Sequence, residues 1–186
     1  MLPLIEISQG KAFQLDDIAA IANAVGLHSA QDLQRGFLLG SADTAELRSL
    51  IESSEVWVAV LAETTIGFVV AHTDASQRFG VFRNRIPQIN WNAAPDFLDS
   101  PAVYVDRIAA RPGYQRLGVG RALYEALFQQ YPSHGFFAGV AVSPVRNAAS
   151  IRFHDRLGFR RVGTFGPARL GEFDDYIGGV FYRAPI

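Results

Sequence analysis

The residues with the most specific chemistry lie in the hexapeptide Gln115-Arg-Leu-Gly-Val-Gly120, between an apolar run at Ala102 to Ala110 and a helical pattern. A helix that opens here directs its free N–H groups and the positive end of its dipole beyond the strand, where an anion is the natural ligand. Gly118 and Gly120 have no Cβ atom, so a diphosphate can approach the main chain closely. The same glycines would also serve a tight strand-to-helix turn without a ligand, and that alternative stays open.

The residues in and after the hexapeptide indicate which kind of phosphate-containing ligand it could bind. Arg116 and Arg121 can add positive charge from the side, as guanidinium groups do for phosphate oxygens. The segment has no G-K-[ST] of a nucleotide P-loop, and Tyr124 and Glu125 stand where a dinucleotide fold would continue its G-x-G-x-x-G. A nucleotide- or phosphometabolite-binding α/β protein remains an alternative of a different class.

A second set of chemical groups lies on the strand before the turn. Tyr104, Asp106 and Ile108 share one face, whereas Val105 and Arg107 take the other, so Asp106 and Arg107 cannot simply neutralise each other. An aspartate with a pKa of about 3.9 is a poor base, so burial or a proton relay would be required for base catalysis. A buried carboxylate that holds a loop is the alternative.

Apolar periodicity and turn residues predict the elements that position these groups. We expect helices over Leu15 to Gly26, Thr44 to Ser53, Gly118 to Gln130 and Asn147 to Arg156, with a short helix left open within Gln31 to Leu39. We expect strands over Leu2 to Ile7, Val56 to Leu61, Ile66 to His72, Ala102 to Ala110, Phe137 to Ser143, Phe159 to Thr164 and Tyr176 to Arg183. Asp74 to Ser100 is predicted to be irregular, as binding loops are. In it, Arg83, Arg85 and Trp91 are candidates to meet an acidic or aromatic substrate.

Composition and length fit one globular domain over residues 1–186, with 49% hydrophobic residues, 19% charged residues and a formal net charge of -1. The charged residues are scattered along the chain and form no basic cluster of the kind that binds nucleic acid or an anionic membrane. The chain has no cysteine, which excludes disulfides, thiolate metal sites and a cysteine acyl intermediate. Met1 to Glu6 lacks the features of a signal peptide, and no apolar run is long enough to span a bilayer, so a cytoplasmic location is expected.

Two blocks of residues carry a family resemblance. The chain resembles the GNAT superfamily of N-acetyltransferases, whose [QR]-x-x-G-x-[GA] signature is matched by Gln115, Gly118 and Gly120. Asn147 to Phe159 resembles the family's N-x-x-[AS]-x-x-[LF]-[YH]-x-x-x-G-F. The two blocks have the family's order and separation, which makes the resemblance specific. The resemblance covers Val56 to Thr164, apart from the predicted irregular segment Asp74 to Ser100.

The resemblance implies an α+β GNAT fold, with a central mixed, mostly antiparallel twisted sheet of about seven strands flanked by helices. It implies that the central strands splay to form the acyl-CoA cleft, where pantetheine pairs as a pseudo-strand with Ile108, Ala109 and Ala110. Acetyl-CoA is then the co-substrate. Its implied contacts are Gln115, Arg116, Leu117, Gly118, Val119, Gly120, Arg121, Asn147 and Ser150. For Asn147, helix capping alone is the alternative.

Acylation of an amine requires a proton acceptor, a polarised thioester carbonyl and a proton for the leaving thiolate. By the resemblance, Asp106 is the first choice to receive the amine proton, directly or through water. Tyr104 orients the acceptor or belongs to the core. His154 stands where the family more often has a tyrosine that protonates the thiolate, and an imidazolium with a pKa of about 6.5 is acidic enough for that. Packing or cofactor contact is the alternative for His154 and for Ser150.

The predicted function is direct transfer of an acetyl group from acetyl-CoA to a primary amine of a small molecule or peptide in a ternary complex. The expected partners are acetyl-CoA and an amine acceptor, without nucleic acid or membrane. No metal is expected, since His28, His72 and His134 lack the spacing of a metal site. The alternative is a catalytically silent acyl-CoA-binding regulatory module, which the histidine at position 154 keeps open. A homodimer also stays open, because dimers are common in the family.

Overall fold

The computed structural model describes residues 4–27, 33–39, 43–53, 55–92, 100–170 and 172–185. The helices within these residues are α1 (Leu15–Ala24), α2 (Thr44–Glu52), α3 (Phe79–Arg85), α4 (Val119–Gln130) and α5 (Ala148–Arg156). The strands are β1 (Glu6–Gln9), β2 (Val56–Leu61), β3 (Thr64–Thr73), β4 (Ile89–Trp91), β5 (Ala102–Ala110), β6 (Gly135–Ser143), β7 (Arg160–Leu170) and β8 (Phe173–Arg183). Short 3₁₀ helices lie at Ala12–Gln14, Leu33–Arg35 and Ile86–Gln88.

The strands form a mixed sheet in the order β1-β2-β3-β5-β6-β8-β7-β4. β5 and β6 run parallel, whereas β1–β2, β2–β3, β4–β7, β6–β8 and β7–β8 are antiparallel. The implied fold class is therefore confirmed, with eight strands in the described residues rather than about seven because β4 was not expected. The parallel register of β5 with β6 runs from Ala102↔Gly135 to Val105↔Ala138. A splay of the two strands beyond Val105 stays a prediction.

The chain divides into two compact units, and β3 and β5 each contribute residues to both. The first unit comprises Met1–Ala71 and Arg107–Gln130, and the second comprises His72–Asp106 and Tyr131–Ile186. Each unit has its own hydrophobic cluster. The expectation of a single domain over residues 1–186 stays a prediction.

The core of the first unit is formed by α1, α2 and the hairpin of β2 and β3. α1 buries Leu15, Ile18 and Ile21, which recur at helical spacing on one face. α2 begins after Asp43, whose carboxylate accepts a hydrogen bond from the Ala45 N–H at 2.9 Å and so caps the helix. The two predicted helices and the two predicted strands Val56 to Leu61 and Ile66 to His72 are confirmed, and the strands pair as an antiparallel hairpin.

The core of the second unit is formed by α3 against the face of β6 and β8 that carries Phe137 and Val180. α3 buries Phe79 and Phe82, one turn apart. The prediction of an irregular segment over Asp74 to Ser100 is wrong for its described part, because this part contains α3 and β4. α3 escaped prediction because it has only 7 residues and its buried side chains are aromatic, which have modest helix propensity. β4 has 3 residues, and its partner β7 lies far along the chain.

The remaining elements lie close to their predicted positions. α4 and α5 begin one residue after the expected starts. Of the expected strand over Leu2 to Ile7, residues 2 and 3 lie outside the described residues, and the described part overlaps β1 (Glu6–Gln9) at Glu6 and Ile7. Of the short helix left open within Gln31 to Leu39, the described residues show a 3₁₀ helix at Leu33–Arg35. Among the described helices, none is long and apolar enough to cross a membrane.

Candidate functional site

The loop after β5 is anchored within the first unit by Arg111. Its backbone N–H donates to the Ile66 carbonyl at 2.8 Å, and its Nε donates to the Thr65 carbonyl at 2.8 Å. The same guanidinium lies 2.6 Å from Oδ1 of Asp17 in α1. These bonds determine where the chain leaves the strand. Sequence reasoning missed Arg111, because its side-chain partners lie 46 and 94 residues away.

The start of α4 is open to a ligand. Gly118 precedes the helix with φ of +83°, which favours glycine, and a Cβ placed on it would meet no atom within 4 Å. The Ala122 N–H donates to the Gly118 carbonyl at 2.9 Å. The N–H groups of Val119, Gly120 and Arg121 therefore precede the first helical bond and have no acceptor within the helix. These groups, with the space beside Gly118, can bind an oxyanion.

Gly67 on β3 sets how closely α4 approaches the strand. A Cβ on Gly67 would lie 2.5 Å from Cγ1 of Val119 and 2.8 Å from the carbonyl oxygen of Ala109, closer than real Cβ contacts allow. The first turn of α4 can therefore lie against β3 only because position 67 has no side chain. Sequence reasoning missed Gly67, since the contact joins segments that are distant in the chain.

The Gln115 side chain has unmet hydrogen-bonding capacity. Its Oε1 is buried and has no hydrogen-bond partner in the part of the chain that the structure describes. An unpaired buried polar group costs about 1–3 kcal/mol, and the two ends of an amide are assigned from their partners, so either the oxygen or the NH2 group can occupy this place. A ligand group with a polar atom would satisfy it. Gln115 and Gly118 thus fit the implied diphosphate.

The two arginines of this segment are exposed. Arg121 Nε lies 2.7 Å from Oε1 of Glu125, one turn further along α4. Because exposed pairs of this kind contribute little, a phosphate can replace the carboxylate at low cost. Arg116 has φ of +71° in the turn before Gly118. The predicted phosphate contacts of both arginines stay predictions.

The backbone at the end of β5 presents an edge away from β3. Alternate residues of a strand direct their N–H and C=O groups to opposite edges. Because Arg111 pairs with Ile66 of β3, Ile108 and Ala110 direct their backbone groups to the other edge. The implied pantetheine pseudo-strand would pair at that edge.

In the second unit, Tyr104 belongs to an aromatic cluster on the sheet face that α3 covers. Its ring stacks on Phe82 with centroids 4.7 Å apart and planes at 11°, and lies 6.5 Å from the His72 ring. Phe137 is the cross-strand neighbour of Tyr104 and lies 5.0 Å from the same Phe82 ring. The Tyr104 hydroxyl is 3.5 Å from where a Cβ of Gly139 would lie. The Tyr104 ring therefore packs against the core of the second unit, and its hydroxyl lies at the surface of the sheet beside Gly139.

Asp106 lies two residues after Tyr104 on the same face, and its side chain is exposed. Base catalysis by this aspartate would require either burial or a proton relay. Because the side chain is exposed, a relay through water is the option that remains. Arg107 takes the other face and pairs with Glu46 of α2 at 2.8 Å. Asp106 is thus placed to exchange protons with solvent.

The start of α5 is capped by Asn147, as predicted. Its side-chain Oδ1 accepts a hydrogen bond from the Ser150 N–H at 3.1 Å, and the residue is buried. A contact with pantetheine would therefore use the NH2 group of Asn147. Ser150 Oγ lies 3.3 Å from Nδ1 of His154, one turn further along the helix.

His154 is packed inside the second unit and is 2% exposed. Its ring lies 5.1 Å from Phe159 and 5.9 Å from Phe181, and Nδ1 lies 2.8 Å from the Ser150 carbonyl. Since a carbonyl can only accept, Nδ1 carries the hydrogen. Burial lowers the pKa of His154, although the hydrogen bond to Ser150 opposes that shift. Burial therefore favours the neutral ring over the imidazolium, and the predicted catalytic role of His154 stays a prediction.

The other histidines do not form a metal centre in the described residues. His28 lies outside those residues. His134 Nε2 lies 3.9 Å from Oδ1 of Asp74, and His72 is buried beside Tyr104. Within the described ranges, no group of three or more His, Cys, Asp or Glu residues is placed to hold a metal ion.

The arginines expected to face an acceptor lie on aromatic rings. Arg83 lies over Phe79 at 5.3 Å, and Arg85 lies over Phe165 at 5.4 Å. Both arginines are exposed. Trp91 packs against the core of the second unit. The predicted roles of these three residues toward a substrate stay predictions.

Comparison with known proteins adds a family and a fold. Residues 27–159 match the model of the family described as Acetyltransferase (GNAT) family. Phosphinothricin N-acetyltransferase from Streptomyces viridochromogenes is 36% identical over 80 residues, which are 42% of this chain and 41% of that protein. The match thus spans about two fifths of that relative's length.

Solved structures share the fold at low identity. Ard1 from Thermoplasma volcanium has a TM-score of 0.68 and 16% identity, with 98% of each chain covered. Arabidopsis thaliana NAA60 in complex with acetyl-CoA has a TM-score of 0.65 and 17% identity, with 97% of this chain and 99% of that chain covered. Both structures extend the shared fold over almost the full length of the chain.

Proposed function

Because this chain belongs to the GNAT acetyltransferase family, we propose that it transfers an acetyl group from acetyl-CoA to a primary amine of a small molecule or peptide. The observation that carries this proposal is the open start of α4, where Gly118 at φ +83° leaves free space beside helical N–H groups that have no acceptor within the helix. A diphosphate suits such a place. Transfer to nitrogen is supported by the relative, which is named an N-acetyltransferase.

We assign the diphosphate to the residues from Gln115 to Arg121 and the pantetheine arm to the edge from Ile108 to Ala110. Gln115 would complete its hydrogen bonding through the ligand. Asn147 and Ser150 keep their predicted contacts with the arm.

Acetyl-CoA supplies the thioester that the amine attacks. Asp106 first takes a proton from the ammonium group through a water molecule, which leaves the neutral amine free to attack, and the second amine proton leaves through water as the N–C bond forms. The backbone N–H groups at Ile108 and Ala110 polarise the thioester carbonyl. As the C–S bond breaks, the Tyr104 hydroxyl gives a proton to the thiolate. Tyr104 is preferred to His154 because the neutral His154 ring uses its Nδ1 hydrogen within α5.

The test is acceptor-dependent release of CoA thiol. The purified chain is incubated with acetyl-CoA and a panel of amines: phosphinothricin, 2-phenylethylamine, spermidine and a short peptide with a free amino terminus. Thiol release above the rate without acceptor, with an acetylated product in mass spectrometry, supports the proposal. Saturable binding of acetyl-CoA without acceptor-dependent release would favour the silent acyl-CoA-binding module instead.

A further inference from the structure

Gly139 interrupts an otherwise buried stretch of β6. The residues on both sides of it are buried, whereas Gly139 itself is exposed. Its φ lies outside the left-handed region, and a Cβ on it would meet only the Tyr104 hydroxyl, at 3.5 Å, an ordinary contact. Neither backbone conformation nor crowding therefore demands a glycine here. Its effect is an opening in the sheet face, which we call the Gly139 opening.

The Gly139 opening is bounded by residues of the second unit. Phe137 and Tyr104 stand in the row before it on the same face, and Phe82 of α3 packs on both rings. Val180 of β8 lies directly across from Gly139 and is buried. An apolar wall thus borders a position that has no side chain of its own.

The polar groups at the opening suit a protonated amine. Asp106 follows Tyr104 on the face to which Gly139 also belongs, and both Asp106 and Gly139 are exposed. A carboxylate attracts an ammonium group, and the Tyr104 hydroxyl can accept a hydrogen bond from it. An acyl chain would instead bring methylene groups against a carboxylate and a hydroxyl, which would lose hydration without gaining partners.

We propose that the Gly139 opening receives the ammonium group of the acceptor and the carbon atoms next to it, and that Gly139 determines which amines fit. This inference rests on the proposed N-acetyltransferase function and deepens it. A side chain at position 139 would take the room of the acceptor. It would leave the hexapeptide Gln115 to Gly120 unchanged, so acetyl-CoA binding should be preserved.

The experiment compares Gly139→Ala and Gly139→Val with the matched control Gly80→Ala. Gly80 lies on α3 in the same unit, and a Cβ on it would meet no atom within 4 Å. We expect KM for 2-phenylethylamine and phosphinothricin to rise about tenfold in Gly139→Ala and about a hundredfold in Gly139→Val. The acetyl-CoA Kd and the Tm should stay near the wild-type values, and Gly80→Ala should match wild type throughout.

Unchanged amine KM in both Gly139 variants would overturn the inference. So would a shifted preference among acetyl-CoA, propionyl-CoA and butyryl-CoA with unchanged amine KM, since the opening would then hold the acyl group. If the wild type acetylates no amine, the proposed function fails, and calorimetric binding of the same amines to the CoA-saturated protein decides the inference separately. Binding that Gly139→Val abolishes supports the subsite, and absent binding to the wild type overturns it.

Discussion

Two titratable side chains of the second unit differ in their access to water. Asp106 is exposed on β5, whereas His154 is 2% exposed and bonded to the carbonyl of Ser150 in its own helix. Proton transfer to solvent requires access, so Asp106 can pass a proton to water. The enclosed ring of His154 instead joins α5 to Phe159 and Phe181.

Replacing Asp106 by asparagine should lower kcat about a hundredfold at neutral pH, because the amide keeps the shape of the side chain but cannot take a proton. The acetyl-CoA Kd should stay at the wild-type value. Steady-state kinetics and calorimetry measure the two quantities. Asp175→Asn is the control, since Asp175 is an exposed aspartate of β8 in the same unit. Unaltered turnover of Asp106→Asn across the pH range would remove this carboxylate from the mechanism.

His154 should make the folded state sensitive to acid. Burial lowers its pKa in the folded chain, so the unfolded chain binds the proton first as the pH falls below about 6.5. The stability that depends on the neutral ring is therefore complete above that pH and is lost progressively below it. Denaturant unfolding of wild type and His154→Gln at several pH values measures the effect.

We expect the difference in unfolding free energy between wild type and His154→Gln to be constant above pH about 6.5 and to shift against the wild type on acidification. If this difference in unfolding free energy stays constant down to acidic pH, protonation of His154 does not affect the stability of the fold.

At the scale of elements, the loop between β5 and α4 contains a glycine, Gly118, that combines a positive φ with open space beside the start of the helix. Gly118 has φ of +83° and open space beside it, and Gly113 in the same loop has φ of +91° and equally open space. Alanine at either position costs about 1 kcal/mol, because the left-handed region disfavours a Cβ. Only at Gly118 does the methyl group also lie at the start of the helix.

Gly118→Ala and Gly113→Ala should therefore lose similar stability but differ in ligand binding. We expect the acetyl-CoA Kd to rise at least about tenfold in Gly118→Ala, since each lost 1.4 kcal/mol of binding is tenfold, and to stay near wild type in Gly113→Ala. Chemical denaturation and calorimetry give the two values. Equal loss of affinity in both variants would mean that the loop conformation, not access to the helical N–H groups, controls binding.

How far the elements could be predicted depends on how local their signals are. α2 has a local start signal in its capping residue Asp43, and α4 and α5 have theirs in glycine, asparagine and apolar periodicity, all within a few residues of the helix. α3 and β4 were missed because so short an element is stabilised mainly by what it packs against. Gly67 and Arg111 were missed for the same reason, since their partners belong to other elements.

The same distinction divides the candidate site. The hexapeptide Gln115 to Gly120 is contiguous, so its chemistry could be read from residue order. The Gly139 opening combines Tyr104, Phe82 and Gly139, which come from three segments. Tyr104 could be proposed from the sequence, but no spacing in the chain indicates that Phe82 and Gly139 lie beside it. The segment proposed for the diphosphate could therefore be predicted from the sequence, whereas the grouping of Tyr104 with Phe82 and Gly139 required the fold; the binding of either ligand stays a prediction.

At the scale of the whole molecule, ligand binding should stabilise the chain in a way that depends on the ligand's chemistry. A ligand at a hundred times its Kd that binds only the folded state adds about 2.7 kcal/mol, which for a chain of this size raises Tm by about 5–10 °C. We expect acetyl-CoA and CoA to produce this shift in a thermal scan. As one domain is predicted, the entire transition should move.

ATP and glucose 6-phosphate are the controls, because they carry phosphate groups but no pantetheine arm to pair with the edge at Ile108 and Ala110. They should give clearly smaller shifts than CoA at equal concentration. A larger shift with ATP would favour the nucleotide-binding alternative. Loss of most of the CoA shift in Gly118→Ala, but not in Gly113→Ala, would connect the stability of the whole chain to the open start of α4, since only that variant fills the space where the diphosphate is expected to lie.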